Sequence, residues 1–111
     1  MTMDAPPTTV DTEIAAKLFR GLGDPTRLAL LLALLPGEQR VTDLVQQVGT
    51  SQANVSKHLM CLRECGLIVG RPEGRQTFYR VACEQLEILL RAAEAVLAET
   101  GSSIELCRNY R

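Results

Sequence analysis

A short helix, a glycine turn and a second capped helix, all within 25 residues, leave this chain few folds. Thr42 can cap a helix over Asp43–Val48, with Leu44, Val45 and Val48 on one face. Gly49-Thr50 then makes a tight turn. Ser51 caps a second helix running to about Cys65, and Gly66 closes it as a left-handed cap. Two short helices joined by a Gly-containing turn form a helix-turn-helix. Leu67–Arg71 and Gln76–Val81 read as strands, joined by a turn at Pro72-Glu73-Gly74-Arg75. A hairpin directly after the second helix is the wing of a winged helix.

The flanking segments fit that frame. Residues 1–10, with Pro6-Pro7-Thr8-Thr9, read as a disordered N-terminal segment. Asp11 or Thr12 can cap a helix to about Leu22, with Ile14, Leu18, Phe19 and Leu22 on one stripe. Asp24-Pro25 is a second start signal, an acidic cap followed by proline at the first helical position. The helix from Pro25 to Leu35 is apolar almost all round and should be central. A long helix follows the wing, from about Glu84 to Glu99. Leu86, Leu89, Leu90, Ala93, Val96 and Leu97 form one stripe on it, and Ile88, Ala92 and Ala95 a second. Two apolar strips are too many for a monomer surface and suggest a dimer seam. Residues 101–111, opening Gly101-Ser102-Ser103, read as a flexible tail carrying Cys107. The expected architecture is therefore mainly α with a small β-hairpin, in the order α-α-α-α-β-β-α. It comprises one winged helix-turn-helix domain over residues 11–100, as a homodimer.

Composition narrows the function classes. The longest apolar run, Leu28–Leu35, has eight residues, against the roughly 20 of a membrane span. The first residues lack the basic and apolar regions of a signal peptide. Reduced thiols in a cytoplasmic protein are therefore expected of the four cysteines. Net charge is −1, but the distribution is uneven. Residues 40–80 hold six basic groups against three acidic ones, and the remainder six against ten. A basic middle with acidic ends suits one surface facing a polyanion. A thiol enzyme is not expected, because the chain has no Cys-x-x-Cys and a single histidine.

The second helix of the motif carries the candidate chemistry. The first turns of such a helix enter the major groove of DNA. Gln52 and Asn54 can read adenine, while Ser51, Ser56 and Lys57 can serve phosphates or guanine. Arg71 and Arg75 in the wing can touch backbone or minor groove. Farther along, Cys61 and Cys65 stand at i and i+4, with Cβ atoms about 5–6 Å apart. That spacing allows both thiolates to close on one soft ion. They lie with Asn54 and His58 on a flank beside the core face of Val55, Leu59 and Leu62. Two ligands make half a site, and Cys107 is the candidate third. His58 is a candidate nitrogen ligand, or a structural or DNA-proximal residue. Cys83, at the start of the last helix, is a spare ligand or an ordinary cap-region residue.

Four segments carry a resemblance: Leu22-Gly23-Asp24-Pro25-Thr26-Arg27, Ser51–Leu59, Leu62–Ile68 and Glu73–Tyr79. Together they resemble the ArsR/SmtB family of bacterial winged-helix metal-sensing repressors over about residues 14–99. The resemblance implies a homodimer that binds a palindromic operator in double-stranded DNA and releases it when an inducer binds. His58-Leu59-x-Cys61-Leu62-Arg63-x-Cys65-Gly66-Leu67 is similar to the cadmium/lead-sensing, CmtR-like branch. That similarity implies Cys61, Cys65 and Cys107 as ligands, with the tail cysteine coming from the partner subunit. Such an all-sulfur set selects Cd or Pb, with Hg, As(III) or Zn as further candidates. The Cys-x-Cys pair of the family's arsenic sensors is missing from Asp43–Val48. Its last-helix zinc quartet would fall on Cys83, Gln85, Val96 and Glu99, which do not make a zinc site. An alternative inducer is oxidative, with a thiol pair such as Cys83 and Cys107 forming a disulfide.

Overall fold

The computed structural model describes residues 11–106. Helix α1 (Thr12–Leu22) starts at Asp11, whose carboxylate accepts from the N–H groups of Glu13 and Ile14 at 2.9 and 3.4 Å. Helix α2 (Pro25–Leu34) starts at Asp24, which accepts from the Arg27 N–H at 3.0 Å. Both starts satisfy backbone donors that a helix otherwise leaves unpaired.

A two-residue strand β1 (Gln39–Arg40) comes next, and the sequence reading lacked it. So short a strand has no periodicity, and only its pairing with a partner defines it. Helix α3 (Val41–Val48) then begins at Arg40, not Thr42. Asp43 reaches back to accept the Arg40 N–H at 3.1 Å and its guanidinium at 3.0 and 3.1 Å. After Gly49 in the left-handed conformation (φ 78°), helix α4 (Gln52–Glu64) starts at Ser51, whose hydroxyl accepts from the Asn54 N–H at 3.1 Å.

The wing comprises β2 (Ile68–Glu73) and β3 (Gln76–Val81). Its register pairs Glu73 with Gln76 and Pro72 with Thr77, so the turn is only Gly74-Arg75. The strand therefore runs two residues beyond the expected Arg71, through a proline that an edge strand tolerates. Gly74 has φ 62° at the first turn position, as the primed hairpin turns require. β1 adds to the far side of β3 in an antiparallel sheet of order β1-β3-β2.

Helix α5 (Glu84–Leu106) continues through Gly101-Ser102-Ser103, where the sequence predicts a flexible tail. Glycine disfavours a helix by only about 1 kcal/mol. Apolar residues resume at Ile104, which shares a groove with Phe19, Leu89, Ala92, Ala93, Val96 and Leu97. Among the described residues no helix is long and apolar enough to cross a membrane.

One core joins the elements. Leu30, Leu31 and Leu34 of α2 lie at its centre, with Leu22, Leu44, Val55, Leu59, Leu62, Ile68, Leu86 and Leu90 around them. Only the first two turns of α5 pack into it. Phe19, Ile88, Val96, Leu97 and Ile104 remain exposed.

The Asp24 cap has a measurable signature. Its carboxyl is held below the ordinary carboxylate range, first by the hydrogen bond from the Arg27 N–H, with the Arg27 guanidinium charge acting in the same direction. A lowered folded pKa means its contribution is full above the ordinary value and lost as pH falls through the lowered one. Asp24→Ala should reduce unfolding free energy by about 1 kcal/mol in urea denaturation at neutral pH. Asp24→Asn should keep most of the cap while flattening that part of the acid dependence.

Candidate metal and nucleic-acid interface

The faces of α4 separate two kinds of chemistry. Val55, Leu59 and Leu62 are buried against α2 and α3. Gln52, Ala53, Ser56, Lys57 and Met60 are exposed on the opposite side, in sequence positions that bring them to one outward ridge. Of the expected DNA-contacting residues, Gln52, Ser56 and Lys57 are exposed on this ridge, and Ser51, also exposed, has its hydroxyl engaged as the cap of α4. Asn54 lies differently. It is half-buried on the flank, and its side-chain amide donates to the Thr50 hydroxyl at 3.1 Å. Ala53 and Met60 occupy the outward ridge instead. Their small or apolar side chains gave no polar signal by which to find them.

Between N-terminus of α4 and wing lies a polar cleft of about 310 Å³, lined by Arg40, Val41, Thr42, Gln52, Arg75, Gln76, Thr77 and Tyr79. Arg75 stands exposed at the hairpin turn and lines this cleft. Arg71, its companion in the sequence reading, does not. It donates from Nε and Nη2 to Glu38 at 3.1 and 2.8 Å, and its Nη1 lies 3.3 Å from Glu73.

The flank of α4 holds Cys61 and Cys65, both free thiols, half-buried and exposed respectively. Burial first, and Cys61 second, push the Cys65 thiol above its ordinary value, while the charge of Arg27 pulls it down. A metal bound there has to displace that proton. Cys65 also walls an apolar cavity of about 260 Å³ with Ile14, Lys17, Leu18, Gly21 and Leu67, between α4 and α1. Two adjacent soft donors at a solvent-accessible helix flank suit a thiophilic ion. Among the described residues no group of three metal-ligating side chains forms, and the pair by itself offers two donors. Cys107 lies outside the described residues.

His58 shares this flank but faces α2. Its Nδ1 lies 3.4 Å from Arg27 Nη1 and 3.9 Å from Asp24. Arg27 also donates to the carbonyls of Gly21 (2.6 Å) and Arg20 (3.1 Å) in the last turn of α1. One guanidinium thus ties the end of α1 and the start of α2 to α4. Arg27 has no functional signature in the sequence beyond being the lone charge on an otherwise apolar helix. Cys83 is exposed immediately before α5, and its carbonyl accepts from the Leu86 N–H at 3.2 Å.

Comparison with known proteins agrees with this arrangement. Residues 24–69 match the family described as "Bacterial regulatory protein, arsR family". The chain is 37% identical over 106 residues to a probable mercury resistance operon repressor of Streptomyces lividans, covering 96% of this chain and 83% of that protein. It is 48% identical over 71 residues to the HTH-type transcriptional regulator CmtR of Mycobacterium tuberculosis, covering 64% and 60% of the two chains. Among solved structures, M. tuberculosis Rv0081 superposes with a TM-score of 0.77 at 29% identity, over 89% of this chain and 97% of that one. The homodimeric winged helix-turn-helix DNA-binding domain Mb0332 of Mycobacterium bovis superposes at 0.74 with 26% identity, over 89% and 92%. The fold is thus a winged helix-turn-helix. The chain belongs to the arsR family of bacterial regulatory proteins, which are DNA-binding transcriptional regulators and not enzymes.

Proposed function

We propose that this chain is a homodimeric metal-responsive repressor that holds a palindromic operator when metal-free. It leaves that operator when Cd or Pb is bound by Cys61, Cys65 and Cys107. The observation that carries the reading is the thiol pair on the flank of α4, next to the outward ridge but not on it. Ligand and DNA can therefore occupy one helix without competing for the same atoms. When bound, a soft ion accepts several thiolates at once, and three sulfurs exclude hard ions. Cys61 and Cys65 supply two of them, and Cys107 would bring the tail onto the helix.

Gln52, Ser56 and Lys57 would face base edges and phosphates, and Arg75 the backbone beside the wing. A second copy would cover the exposed apolar side chains of α1 and α5, which are too many for a free surface. The homodimeric M. bovis neighbour supports that assembly. The S. lividans relative, named for a mercury operon, supports metal over a disulfide switch.

Release requires that metal bind the DNA-free arrangement more tightly than the DNA-bound one. Couplings of the usual size weaken DNA binding about 5–150-fold. The test uses a duplex selected by the reduced protein from a random-sequence pool. Cd titration should develop an ultraviolet thiolate-to-metal band that saturates at one ion per protomer, and the duplex should be released over the same range. Saturation of the band with no release would leave a metal-binding protein whose DNA affinity is not metal-controlled.

A further inference from the structure

The wing carries a row of side chains that DNA contact alone does not account for. Register places Arg40, Phe78 and Arg71 side by side on β1, β3 and β2. The Phe78 ring lies between two guanidiniums, 5.1 Å from that of Arg71 and 6.0 Å from that of Arg40, within cation–π range. Each cation is held at its outer end by a carboxylate. Arg71 forms a two-point pair with Glu38, in the connection between α2 and β1. Arg40 forms another with Asp43, in the first turn of α3. The row Glu38–Arg71–Phe78–Arg40–Asp43 thus runs from the outer strand of the wing to the first helix of the helix-turn-helix.

We infer that this row is a brace that sets the position of the wing, and that Arg71 serves DNA binding through it, not as a phosphate contact. Several observations point the same way. Both arginines already have carboxylate partners, Arg71 two of them, so a phosphate would have to displace Glu38 or Glu73 to engage Arg71. A planar fork matched to a carboxylate at two points fixes orientation as well as distance. The hairpin has only a two-residue turn, and Arg75 at that turn lines the same cleft as Gln52 at the start of α4. A tilt of the hairpin against α3 changes the spacing between those two side chains. The brace opposes that tilt. It is a positioning device that keeps the backbone contact and the reading helix in step on one duplex.

The inference rests on the DNA-binding reading, and ionic strength separates the two. A lost phosphate contact lowers the slope of log affinity against log salt by about 0.9. Affinity for the pool-selected duplex is measured over a salt series for wild type, Arg75→Gln, Arg71→Gln and Glu38→Gln, with thermal unfolding as a check on folding. Arg75→Gln should weaken binding and lower the slope by about 2 for a dimer with two wings. Arg71→Gln and Glu38→Gln should each weaken binding about three- to fivefold, the scale of an exposed ion pair, with the slope unchanged. A reduced slope in Arg71→Gln overturns the inference and makes Arg71 a phosphate ligand. Tighter binding by Glu38→Gln also overturns it, because the carboxylate would then be only a repulsive charge. Unaltered affinity in both variants overturns it as well. A wild-type protein without salt-dependent duplex binding would instead sink the DNA-binding reading itself.

Discussion

Cys61→Ser is expected to bind the pool-selected duplex as tightly as wild type and to stay bound when Cd is added. The hydroxyl occupies nearly the same volume on the half-buried flank of α4, so the fold and the outward ridge of Ser56 and Lys57 should be unchanged. A serine oxygen is a poor partner for a soft ion, which leaves one thiol of the pair. The roughly 5–150-fold metal-induced loss of affinity should fall to none. Cys65→Ser should behave alike. Cys107→Ser should retain Cd at the helix pair, at lower affinity, and lose the coupling to DNA. Cys83→Ser should respond as wild type does. Release by Cys61→Ser at wild-type Cd concentrations would place the inducer site elsewhere in the molecule.

The second large effect concerns the core. Leu30→Ala should destabilise the domain by about 2–5 kcal/mol, because Leu30 is fully buried and its truncation leaves a cavity among tightly packed leucines. Against a total stability of about 5–15 kcal/mol for a domain of this kind, that is a large fraction. Thermal unfolding should fall by about 10 °C or more. Leu32→Ala, two residues away on the same helix, is the control. Leu32 is 45% exposed, and its truncation should change stability by about 0.5 kcal/mol or less. Equal losses at the two positions would mean that α2 buries Leu32 against a surface of its own, such as a second copy of the chain.

These two leucines also show where reading the chain stops. Residues Pro25–Leu35 are apolar almost all round, so periodicity places the helix in the core without saying which side faces outward. Packing decides that, burying Leu30, Leu31 and Leu34 and leaving Leu32 out. Likewise, the stripe on α5 was legible, but its own core takes up only Leu86 and Leu90 with part of Leu89. The continuation through Gly101 was hidden, because the local penalty of glycine gives no account of the apolar groove that Ile104 joins.

The elements with local causes were visible along the chain. Asp11, Asp24 and Ser51 each reach a backbone N–H two or three residues ahead, and such contacts depend only on neighbours in sequence. The cysteine pair is of the same kind, since a four-residue spacing on a helix fixes its separation. Helix-turn-helix, wing and thiol pair therefore follow from contacts local in the sequence.

What the charged side chains do was not. Arg71 and Glu38 are 33 residues apart, and Arg27 and His58 are 31 apart. Sequence could identify Arg71 as a basic residue in a wing and His58 as a nitrogen donor beside two thiols. Only the docking of β1 onto the hairpin, and of α4 against α2, brings a carboxylate to the one and a guanidinium to the other. A charge is free to meet DNA or metal only if the folded chain has not already provided its partner, and that depends on distance in space.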